Sequence, residues 1–166
     1  YRAAREAGAQ TGLHIYCGLE FRTTTSDNDY LLFGAAPELL YSTPELHRYT
    51  IPQLRALADR EGLLLVQAHP FRTGLTREDP ALLDGVEVFN GNARHDSHND
   101  DALRFARENG PLFFSGSDHH ETEDRGRGGM VLPREPKDEA DLVRLLPSAG
   151  LLPDILLEFF PVKPEK

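Results

Sequence analysis

The sequence has no tryptophan, a single cysteine, a single methionine, and no apolar run approaching the ~18 to 20 residues that span a bilayer. One cysteine excludes an internal disulfide, so the fold must be held by its core rather than by covalent staples. Basic residues are the minority: 18 Lys and Arg stand against 27 Asp and Glu, a formal net charge of −9. That balance argues against a broad surface tracking extended nucleic acid, because such surfaces are basic. The pattern of a secretory leader is also missing, and a soluble, cytoplasmic protein is the expectation. At 166 residues and 39% hydrophobic composition the chain is sized for one core and hardly two. The single methionine is Met130, and the opening Tyr1 to Gly8 reads as the middle or end of an amphipathic helix rather than a translation start.

What is present is a set of short apolar runs separated by helix-length amphipathic stretches, the alternation of an α/β domain with a mainly parallel sheet. Strands are predicted near Leu13–Cys17, Tyr30–Phe33, Leu63–Ala68, Gly85–Phe89 and Leu112–Ser115, with a sixth near Gly129–Leu132. Thr50-Ile51-Pro52-Gln53 has capping-box spacing, Leu54, Leu57 and Ala58 form an apolar stripe, and Gly62 stands where that helix must stop. A second helix is predicted over about 100–109 with Gly110 as its stop. A third is predicted from Pro136, carrying Ala140, Val143 and Leu146, with Pro147 ending it. The core is expected over about 1–132 of a single domain, with a helix and an apolar tail over 133–166; Ile155–Phe160 is expected to pack as a strand or short helix.

In parallel α/β architectures the C-terminal strand ends gather at one mouth, so functional groups collect there from distant sequence positions. Those ends read Gly18-Leu19-Glu20, Gln67-Ala68-His69-Pro70, Asn90-Gly91-Asn92 and Gly116-Ser117-Asp118-His119-His120. Carboxylates with imidazoles and no thiolate cluster suit Mn, Zn or Fe. Asp118 and His120, two residues apart in one turn, can address a single ion. Glu87, inside its strand, reads equally as a paired structural acid and as a functional one.

Glu20 in Cys17–Phe21, His69 in Ala68-His69-Pro70-Phe71-Arg72, the Gly85–Asn90 strand and Gly116–His120 occur in the order and rough spacing of the PHP (polymerase and histidinol phosphatase) family, which the chain resembles from residue 1 to about Leu132. The resemblance implies a distorted (β/α)7 TIM-like barrel, divalent metals at its mouth and hydrolysis of phosphoesters. Carried over, Glu20 is the bridging ligand, His69, Asp118 and His120 are further metal ligands, Arg72 holds a substrate phosphate and Asn90 orients at the mouth; in the mechanism this suggests, His119 is the candidate general acid near the leaving group. The family's initial His-x-His strand does not occur before Glu20. The segment Ser26–Gly34 has no His either, where some members supply one before the Tyr30 strand. A barrel incomplete at its N-terminus is therefore expected, with weak metal binding and low activity. Its open sheet edge would favour a homodimer. The substrate implied is a phosphorylated small molecule, a nucleotide or an oligonucleotide end. A catalytically inactive metal- or ligand-binding module, or an amide or lactone hydrolase, are the alternatives.

Overall fold

The computed structural model describes residues 1–151. Its helices are α1 (Arg2–Thr11), α2 (Glu38–Ser42), α3 (Ile51–Glu61), α4 (Asn99–Asn109) and α5 (Glu139–Leu145). The strands are β1 (Gly18–Arg22), β2 (Asp29–Phe33), β3 (Leu64–Gln67), β4 (Gly85–Asn90), β5 (Leu112–Gly116), β6 (Met130–Val131) and β7 (Gly150–Leu151). The first five form one sheet in sequential order, and β6 pairs with β7 in a small second sheet.

The barrel expectation is overturned. Neighbours β1 and β2 are antiparallel, β2 and β3 are antiparallel, and only β3–β4 and β4–β5 run parallel. A parallel crossover needs a dozen or more residues, and the short link 23–28 between β1 and β2 permits only a hairpin. The described residues therefore build an open mixed sheet, and no barrel closes among them. Two element boundaries also shift. Leu13–Cys17 is not a strand: the Leu13 N–H donates to the Gly8 carbonyl and the Cys17 N–H to Glu139 Oε1, so neither donor enters a sheet ladder. The last helix starts at Glu139 rather than Pro136, because the Asp138 side chain accepts from the Asp141 N–H at 2.7 Å and caps it there. The apolar segment Ile155–Phe160 lies outside the described residues.

Cross-strand pairing assigns the two faces. Glu20 lies opposite Leu31, Leu31 opposite Val66, and Glu87 opposite Phe114, so these residues share one face. Leu32, Leu65, Val86 and Val88 share the other, packed against Leu54, Leu57 and Ala58 of α3 and Ala106 of α4. Each such large side chain contributes about 1.5–3 kcal/mol by leaving water. Helix α3 forms as its sequence predicts: the Thr50–Gln53 capping box closes, and Gly62 ends it at φ 67°, a conformation that penalises any Cβ. The opposite face is covered in part by Leu142, Leu146 and Met130, which pack over Val66 and Phe114. Beyond that cover, toward the ends of β3 to β5, polar groups take over.

One polar network fixes the chain that follows β3. Asn28 Nδ2 donates to Glu78 Oε1 at 2.7 Å, the Tyr30 hydroxyl donates to the same oxygen at 2.6 Å, and Gln67 Nε2 donates to the Thr76 carbonyl. Burial, reinforced by the bond to Glu78, pushes the Tyr30 hydroxyl up to about 12, so it remains a donor at any physiological pH. Glu78→Ala strands the buried donors of Asn28 and Tyr30, each at about 1–3 kcal/mol. Urea denaturation is expected to show a loss on the order of 2–4 kcal/mol, and a loss below 0.5 kcal/mol, taken as roughly the surface-substitution range, would refute this role.

Candidate metal centre

Three ligating side chains converge where β1, β2 and the end of β3 meet. Glu20 and Asp29 project from one face of the β1–β2 hairpin, and the Ala68 N–H donates to the Asp29 carbonyl at 3.0 Å, which brings His69 beside them. One ligand atom from each of Glu20, Asp29 and His69 lies within 4.8 Å of the others. His69 Nε2 stands 3.7 Å from Glu20 Oε1 and 3.8 Å from Asp29 Oδ2. These separations are too long for hydrogen bonds. They do suit one ion, because donors bonded at about 2.1 Å can be no more than about 4.2 Å apart. The imidazole is only 4% exposed and its Nδ1 has no hydrogen-bond partner among the described residues. A buried polar ring facing two carboxylates without direct hydrogen bonds is the chemistry of a cation site, and the residues present fit one.

His69 is held in an unusual backbone state, φ 29°, in the left-handed region that non-glycine residues rarely adopt. Its N–H donates to Glu87 Oε2 at 3.0 Å and its carbonyl accepts from the Arg72 N–H at 3.1 Å. Asp118, just beyond the end of β5, is another such residue, at φ 46°. Its carboxylate accepts from Arg72 Nη2 at 2.9 Å and Asn90 Nδ2 at 3.2 Å, and lies 2.9 Å from His120 Nε2. Burial by itself would raise the Asp118 carboxyl, but the donors on Arg72 and Asn90 outweigh it and hold the group below the usual carboxylate range. Burial pushes the Glu87 carboxyl up to about 7, against the pull of Asn90 and the His69 N–H.

The structure thus places the predicted residues in two groups around one cavity of about 170 Å³, lined by Glu20, His69, Glu87, Asn90 and Asp118 among others. Glu20 and His69 come together, whereas Asp118 and His120 form a separate pair and do not join the three-residue cluster. Arg72 is committed to Asp118 and to the Ser97 hydroxyl, and His119 is exposed on the loop. Asp29 was missed by sequence reasoning, because Asp27-Asn28-Asp29 reads as a polar turn; only the hairpin register brings it beside Glu20. A hollow of about 260 Å³ beside α1, lined by Arg5, His14, Lys137 and Glu139 among others, is larger but gathers no ligand cluster.

The loop bearing His120 is pinned by Asp124. This carboxylate, 2% exposed, takes both Nη atoms of Arg94 at 2.9 and 2.8 Å and the N–H groups of His120 and Glu121 at 2.9 and 2.7 Å. The Arg94 guanidinium, aided by those two N–H groups, holds its carboxyl far below the usual aspartate value.

Residues 96–148 match a family model described as PHP-associated, which supports a relationship of this segment to the PHP family. The fold is similar to that in the crystal structure of PsfC from Pseudomonas syringae PB-5123, with a TM-score of 0.67 and 21% identity. The likeness covers 85% of this chain and 60% of that one, so the chain spans less than two thirds of that protein. At this identity the likeness is one of fold. No curated protein matches the chain in sequence. Among the described residues, no helix is long and apolar enough to cross a membrane.

Because the native Asp124 carboxyl titrates well below an unfolded aspartate at about 3.9, its stabilisation is complete above that pH and is lost as pH falls toward the native value. Asp124→Asn is expected to unfold at lower urea than the parent at pH 6 and to lose less stability between pH 6 and 3. Parallel pH profiles for the two proteins would refute this linkage.

Proposed function

We propose that the chain acts as a metal-dependent hydrolase of phosphoesters, with Glu20, Asp29 and His69 as the residues that hold a divalent Mn, Zn or Fe ion. The observation that carries this reading is His69: a buried imidazole with an orphaned Nδ1, its Nε2 under 4 Å from two carboxylates. The PHP-associated match over 96–148 supports the same direction. When bound, such an ion supplies hydroxide at neutral pH and polarises a phosphoryl oxygen. The protein's own part is positioning and charge. Arg72, bonded through Nη2 to Asp118 on the cavity wall, binds phosphoryl oxygens with part of its donor fork. Asn90, 5% exposed, is fixed by its bonds to Glu87 and Asp118 and orients the group that enters. Exposed His119 hands a proton to the leaving group, and His120 keeps Asp118 oriented. A cavity of about 170 Å³ takes a phosphoryl group and little more, which favours a small phosphomonoester, a nucleotide or an oligonucleotide end over an extended polymer.

A second reading, a non-catalytic metal- or ligand-binding module, draws on the fact that Asp29 and Asp118 each already hold an arginine. Metal content by mass spectrometry and turnover of p-nitrophenyl phosphate with added Mn separate the two. His69→Ala is expected to lose metal at least about tenfold, and Asp118→Asn to reduce turnover on the order of a hundredfold while the protein stays folded. A chain that retains metal and turns over nothing is the module; one that retains no metal overturns the hydrolase reading and the metal-binding form of the module.

A further inference from the structure

Among the described residues, Arg22 is the arginine that pairs with a member of the three-residue cluster, and the hairpin register sets it there. It lies directly opposite Asp29 across the β1–β2 pair and two residues along the same face from Glu20. Its guanidinium grips Asp29 as a fork, Nε to Oδ1 at 2.9 Å and Nη2 to Oδ2 at 2.7 Å. Oδ2 is also the oxygen that stands 3.8 Å from His69 Nε2. The same carboxylate oxygen is therefore offered to two cations. The burial of the partners is unequal: the Arg22 side chain is 55% exposed, whereas Asp29 is 17% exposed. Arg22 can move into water without leaving a buried charge behind. Asp29 cannot move away from the cluster as easily.

Resting on the metal reading above, we propose that Arg22 is a resident counter-cation that competes with the divalent ion for Asp29 and so sets the affinity of the site. The guanidinium neutralises Asp29 and fixes its rotamer without an ion; an ion held by Glu20, Asp29 and His69 repels it at short range and displaces its fork toward solvent. Metal affinity is then an exchange, weaker than the same three ligands would give without the arginine. An ion pair whose guanidinium is half-exposed is worth little by itself, so what decides the outcome is the like-charge repulsion between guanidinium and ion.

The test is a calorimetric titration of Mn into the whole chain and into Arg22→Gln, Arg22→Lys, Asp29→Asn and the double variant Arg22→Gln/Asp29→Asn, each checked for fold by circular dichroism. Arg22→Gln is expected to tighten Mn binding by about tenfold. Arg22→Lys, which keeps the charge but loses the fork, should stay within about threefold of the parent. Asp29→Asn should weaken binding, and adding Arg22→Gln to it should tighten binding by clearly less than it does in the parent, because the asparagine no longer holds the guanidinium beside the ion. Parent binding that Arg22→Gln leaves unchanged or weakens would overturn the exchange while leaving the metal reading intact. Absence of Mn binding in the parent and in Arg22→Gln alike would overturn both.

Discussion

The cavity depends on one buried carboxylate. Glu87 sits on β4, the strand with β3 on one side and β5 on the other, and its Oε2 accepts from the His69 N–H beyond β3 and from Asn90 Nδ2 at the end of its own strand. Asn90 in turn reaches Asp118 beyond β5. Taking an acid this deep out of water costs several kcal/mol unless donors offset it. Here the donors are the groups whose positions the site needs. Space is matched as closely: a Cβ on Gly116 would stand 3.1 Å from Glu87 Oε1, so β5 passes the carboxylate with a residue that has none.

The strain in the site is arranged around the same strand. His69 and Asp118 both adopt positive φ, which costs on the order of 1–3 kcal/mol each for residues other than glycine and persists only where the surroundings over-determine it. The Glu87 carboxylate receives the N–H of the first, and the Asn92 Nδ2 donates to the carbonyl of the second at 3.2 Å. Asn92 is itself located by its Oδ1, which accepts the Arg94 N–H, and Arg94 is locked to Asp124. The loop that carries His119 and His120 therefore hangs from β4 through a continuous series of bonds. Both exposed histidines sit at the end of a rigid series whose anchors are buried.

Much of this was legible in the sequence where the signal is local. The α3 cap, its apolar stripe and Gly62 are short-range features, and they formed as their spacing predicts. The β3, β4 and β5 runs were found within a residue or so. What failed was anything set by pairing over distance. The orientation of β1 and β2 turned on a hairpin register that composition does not encode, and with it went the barrel. The same register explains why Asp29 was missed. Asp29 lies in a polar run that reads as solvated turn, and becomes part of a cluster only because Arg22 and Glu20 are laid beside it. Conversely, His120 lies two residues from Asp118 as read, but the geometry uses it as that acid's partner, outside the cluster of Glu20, Asp29 and His69.

The electrostatics of the mouth run against the −9 of the whole chain. Glu20, Asp29 and Asp118 bring three acidic groups to it, and Arg22 and Arg72 bring two guanidinium groups that already hold two of those acids. Glu87, pushed up to about 7, adds only part of a charge near neutrality. Without the arginines such a wall would repel any phosphate at this distance, since opposite and like charges a few ångströms apart at low effective dielectric differ by kcal/mol rather than tenths. With them the wall stands about one charge short of neutral, and under the proposed reading a divalent ion that takes the place of Arg22 adds two charges for the one displaced and brings the wall to about neutral. An anionic substrate is then less repelled by the loaded site than by the unloaded one. Arg22 and Arg72 are what bring the balance close enough to zero for one ion to decide it.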